Sequence, residues 1–107
     1  MDFEELLKEM RNSLLLLVRE QYADFSKAGE DTVTQFLEDA REKLRKWTFL
    51  LAEELITPAE YEWLLKSQKD LFLMHTLYSA GISKIRLGIF KNKVINTITD
   101  VAIKALL

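Results

Sequence analysis

The chain has 107 residues, 49% apolar and 30% charged, with a formal net charge of −2. That is enough for one hydrophobic core and too little for two, so residues 1–107 are expected to form a single domain. One proline and three glycines leave little material for the turns that sheets need. The absence of cysteine excludes a disulfide framework, a thiolate nucleophile and a cysteine-based zinc site. The start, Met1-Asp2-Phe3-Glu4-Glu5, is acidic where a secretory signal is basic, and the apolar run Leu14 to Val18 is too short for a membrane span. A cytoplasmic location is the expectation.

In chain order, Phe3, Leu7, Met10, Leu14 and Leu17 step by four and three, which predicts a helix over residues 2–28 that stops at a C-cap on Gly29. Val33, Phe36 or Leu37, Ala40, Leu44, Trp47 and Leu51 repeat the step and predict a second helix over about 32–55, capped by Asp31 or Thr32. Ile56-Thr57-Pro58-Ala59-Glu60-Tyr61 is a helix start: Thr57 caps, Pro58 takes the first helical position and Glu60 completes a capping box. Helix three continues through Leu64, Leu65, Leu71, Phe72, Met74, Leu77 and Tyr78 to Gly81. Ser83 then caps a fourth helix running to the end of the chain.

Short connections make neighbouring helices antiparallel. The expected fold is therefore all-α, an up-down-up-down four-helix bundle with loops at Gly29, Thr57-Pro58 and Gly81. The joint at Pro58 leaves open whether the chain reverses there or only kinks.

The last helix carries a surplus. Between Ile82 and Leu107, 14 of 26 residues are apolar, more than the three-sevenths face that a bundle core uses. Leu87, Phe90, Val94, Ile98, Val101 and Ala105 form one stripe, and Ile85, Ile89, Ile95, Ala102 and Leu106 lie beside it. The run Leu14-Leu15-Leu16-Leu17-Val18 likewise covers every face of the first helix. These patterns predict self-association, most simply a homodimer, or docking of another helical protein. Leu15, Leu16, Val18, Ile85, Ile89, Ile95, Ala102 and Leu106 are the expected interface. The alternative is a core wide enough to absorb both stripes.

Charge is uneven: residues 1–62 hold 15 acidic and 8 basic groups, net −7, and residues 63–107 hold 2 acidic and 7 basic, net +5. Thr76 to Phe90, TLYSAGISKIRLGIF, has the outline of a helix-turn-helix centred on Gly81, with Lys84, Arg86, Lys91 and Lys93 as phosphate contacts. DNA binding is the alternative function on that basis. Leu77, where a tight crossing favours a small residue, and the apolar flank at Ile85, Ile89 and Ile95 favour an ordinary helical hairpin. A membrane-surface role for this helix ranks lower, because Asn92, Asn96 and Asp100 interrupt its polar and apolar division.

His75 is the sole histidine and has no carboxylate three or four residues away; it is read, with Gln68, as a polar spot in or beside the core. There is no Gly-rich phosphate loop, no G-x-S-x-G elbow and no H-E-x-x-H. No enzymatic activity, cofactor, metal or small-molecule substrate is expected. Trp47 and Trp63 are assigned to core or interface packing. The leading expectation is a non-enzymatic adaptor or structural protein that associates through its first and last helices.

Overall fold

A computed structural model describes residues 2–68 and 81–107. Among them every regular element is helical: α1 (Phe3–Gln21), a single 3-10 turn (Ala23–Phe25), α2 (Ser26–Asp39), α3 (Arg41–Ala52), α4 (Pro58–Gln68) and α5 (Lys84–Leu106). The expected continuation of helix three through Leu71, Phe72, Met74, Leu77 and Tyr78, and His75 with it, lies outside the described residues.

Asp2 starts α1 by accepting the Glu4 amide at 3.0 Å, which satisfies one of the orphan donors of the first turn. The buried face is Phe3, Leu6, Met10, Leu14 and Val18. Leu7 and Leu17, expected on that face, are half-buried beside it.

The first chain reversal differs from the expected one. Gly29 is not a C-cap; it is buried inside α2, and helix one ends eight residues earlier at Gln21. Tyr22 (φ −135°) and Phe25 (φ −133°) make the corner instead, with backbone angles open to any residue. Their rings pack on each other at 5.2 Å and on Phe90 at 4.8 and 5.9 Å, so aromatic burial fixes the corner. Gly29 instead permits close approach, since a Cβ there would lie 3.0 Å from Val18 Cγ1. Asp31 and Thr32 are also not caps: both fall within α2, and the Thr32 hydroxyl donates to the Ala28 carbonyl at 2.7 Å.

The second expected helix is broken once, at Ala40 (φ −91°, ψ 2°), into α2 and α3. Ala40 N still reaches Phe36 O at 2.9 Å and Leu44 N reaches Ala40 O at 2.8 Å, so the break costs little hydrogen bonding. The apolar stripe therefore survives it. Val33, Phe36, Leu37, Ala40, Leu44, Trp47 and Leu51 are all buried. The Arg19–Glu30 pair at one end and Arg41 and Arg45 on Glu4 at the other show that α2 and α3 run back along α1.

α3 ends in a Schellman turn: Leu55 N donates to Leu50 O at 2.9 Å and Glu54 N to Leu51 O at 3.1 Å, with Glu54 at φ +60°. The capping box follows directly, Glu60 N donating to Thr57 Oγ1 at 3.1 Å and Thr57 N to Glu60 Oε1 at 3.0 Å. Pro58 thus sits in a full reversal. Thr48 meets Tyr61 and Lys43 meets Gln68, which makes α3 and α4 antiparallel. Gly81 takes φ +90°, the left-handed angle its turn requires, and Ser83 caps α5 by accepting from Arg86 N at 3.2 Å. α1 packs on α2 and α5, and α4 on α3 and α5.

Candidate functional site

The expected interface residues divide into two groups. Val18, Ile95 and Ala102 are fully buried in the chain's own core and cannot contact a partner. α5 is packed by α1, α3 and α4, so its inward surface spans two adjacent stripes: Leu87, Phe90, Val94 and Ile98 on one, Ile95, Thr99 and Ala102 on the other. The wide-core alternative accounts for these three residues. The chain exposes 6291 Å², against about 6,200 Å² for a compact protein of this mass. Within α5, Leu87, Phe90, Val94, Ile95, Ile98 and Ala102 are hidden by the chain itself.

Three of the expected interface residues remain outside. Ile85 is 80% exposed and Ile89 50%, one turn apart on the outer face of α5, and Leu16 on α1 is 54% exposed. Leu15 and Leu106 are half-buried against the core.

The basic residues of the same region are largely engaged within the chain. Arg86 grips Asp24 through two bonds of 2.6 and 2.7 Å while its guanidinium lies 4.8 Å from the Phe25 ring centre and 5.6 Å from that of Tyr22. The hydrogen bonds from Arg86 hold the Asp24 carboxyl below its ordinary pKa, and Asp24 raises Arg86 in return. Lys93 donates to Gln21 and stands 5.6 Å from the Tyr22 ring. Lys84 is exposed, and Lys91 is half-buried. Arg86 and Lys93 thus clamp α5 to the Tyr22–Phe25 corner, which separates them from the continuous phosphate-facing row expected of a DNA reader.

A second apolar surface lies around Trp63, whose expected place was core or interface packing. Ile56, Ala59, Glu60, Trp63 and Leu64 line an open cleft of about 390 Å³. Trp63 is 67% exposed there, with exposed Leu55 in the preceding turn. A signal for it exists in the sequence: Tyr61 and Leu65, four apart, are the buried residues of α4, and a side chain midway between them points outward. Trp47, by contrast, is buried.

Among the described residues, no three His, Cys, Asp or Glu side chains converge to hold a metal. The buried Thr48 hydroxyl lies 2.9 Å from Tyr61 OH, and burial pushes the Tyr61 phenol up to about 12. A phenol held protonated beside a threonine is a core bond, and among the described residues Thr48 is the hydrogen-bond partner it shows. Thr99 Oγ1 is buried without a hydrogen-bond partner. A cleft of about 290 Å³ beside the start of α1 is lined by Glu4, Glu5, Lys8, Arg11, Glu38 and Arg41, charges of both signs, with Glu4 taken by Arg41 and Arg45. Gln68 is half-buried and accepts from Lys43 Nζ at 2.7 Å.

The chain matches no protein-family model, and neither the curated proteins nor the solved structures yield a significant match. Among the described residues, no helix is long and apolar enough to cross a membrane.

Proposed function

We infer that this is a non-enzymatic helical interaction protein that self-associates, as a homodimer, and serves as an adaptor or structural component. The observation that supports the reading is the pair Ile85 and Ile89, 80% and 50% exposed on consecutive turns of α5. Isolated exposed apolar residues are ordinary, but two large β-branched side chains on one helical ridge form a patch that association covers. Leu16 extends the same reading to α1, and Leu15 and Leu106 are half-buried at other places on the core's edge. The reading takes the helices as an antiparallel up-down-up-down bundle in which the broken pair α2 and α3 counts as one member, and it places the protein in the cytoplasm.

The test is the double substitution Ile85→Glu/Ile89→Glu, with molar mass measured by light scattering after gel filtration. Both positions face water in the isolated chain, so the fold tolerates the change, and the variant is expected to elute as a 12.5 kDa monomer where the wild type does not. Wild type and variant eluting with the same oligomeric mass would remove α5 from the interface.

A further inference from the structure

Two stretches of the surface carry opposite charge around an apolar centre. Residues 53–62 hold Glu53, Glu54, Glu60 and Glu62 and no basic residue, whereas residues 81–93 hold Lys84, Arg86, Lys91 and Lys93 and no acidic one. The acidic stretch borders a recess lined by Ile56, Ala59, Glu60, Trp63 and Leu64, of which Ile56 and Leu64 are half-buried against the core. Glu62 is offset by Lys66 at 3.4 Å, which leaves Glu60 in the lining and the exposed Glu53 and Glu54 of the preceding turn to make this stretch acidic. The basic stretch carries a ridge: Ile85 and Ile89 project from α5. Asp24 offsets Arg86 there, and exposed Lys84 with Lys93, whose acceptor Gln21 is uncharged, keeps the balance positive. One surface is concave and acidic, and the other is convex and basic.

We propose that the Ile85–Ile89 ridge of one copy docks into the Trp63 cleft of a second copy of this chain. The proposal rests on the self-association read above and adds the surface that the ridge meets. A tryptophan at the centre of a polar rim is the usual anatomy of an energetic anchor, because the rim keeps water from the aromatic contact. Opposite rim charges set the register and speed encounter more than they add affinity. Each copy offers both surfaces, so a two-fold pair makes the contact twice, the ridge of each in the cleft of the other.

Sedimentation velocity on the full chain tests this, with circular dichroism confirming that each variant is folded. Trp63→Ala removes a side chain that is 67% exposed, and is expected to weaken association about thirtyfold. Two charge-reversed variants, Glu53→Lys/Glu54→Lys and Lys84→Glu, are each expected to associate more weakly than wild type alone. Mixed in equal amounts they recover part of the association, because each reversed side chain then faces one of opposite charge. Wild-type association that all three variants leave unchanged overturns the cleft as the docking surface while self-association stands. Weakening without recovery in the mixture overturns the charge pairing and with it this contact. A wild-type chain that stays monomeric at tens of micromolar overturns both the contact and the reading beneath it.

Discussion

Tyr61 carries its hydroxyl into the core with Thr48 as partner, and burial raises its phenol from 10.0 to about 12. In the unfolded chain the same group ionises at its ordinary value. A group whose folded pKa is the higher one supports the fold fully below the unfolded value and loses that support as pH rises toward the folded one. Stability is therefore expected to fall between about pH 10 and 12 by roughly 2 to 3 kcal/mol from this residue. Chemical denaturation across that range checks it: Tyr61→Phe should be less stable than wild type at neutral pH and lose less as pH rises. An equal pH slope in the two proteins would mean the phenol is not held protonated. Gly29 makes an opposite kind of contact, through what it lacks. Alanine would improve helix propensity by about 1 kcal/mol, but its methyl would meet the fully buried Val18 at 3.0 Å. Overpacking of this kind costs about 1 to 3 kcal/mol, so Gly29→Ala is expected to destabilise by about 1 kcal/mol. In a Val18→Ala background the same change should stabilise, and thermal melts of the four proteins read the reversal of sign.

At the scale of elements, the chain reversal between α3 and α4 is built from two consecutive caps, the Schellman turn at Glu54 and the box at Thr57–Glu60. Thr57→Ala removes the acceptor for Glu60 N and is expected to cost about 1 kcal/mol, with Thr57→Ser nearly neutral, as denaturant midpoints will report. This corner was legible in the sequence because capping chemistry is local: Thr, Pro and Glu act within four residues. The stripe from Val33 to Leu51 was legible for a related reason, since period survives a break of one residue at Ala40. The Tyr22–Phe25 corner was not legible. Its cause is the burial of two rings on Phe90 and under Arg86, more than sixty positions away in sequence, and nothing local distinguishes Gly29 as a spacer from Gly29 as a cap.

For the whole molecule, the question is where the apolar surplus goes. Counting apolar residues along α5 exposed the excess but could not locate it, because burial on two stripes depends on having neighbours on three sides. Val18, Ile95 and Ala102 went inward, Ile85 and Ile89 outward, and the Trp63 cleft is an apolar surface that composition alone did not mark. The uneven charge of the two halves is used first within the chain, as Arg86 and Lys93 fasten α5 to the end of α1, and then, in the proposed contact, between copies. Sedimentation velocity of the wild-type chain over a series of concentrations reaching tens of micromolar decides whether the chain self-associates. A mass above the 12.5 kDa of one chain, rising with concentration to a dimer, is expected. A mass of one chain throughout the series would contradict it.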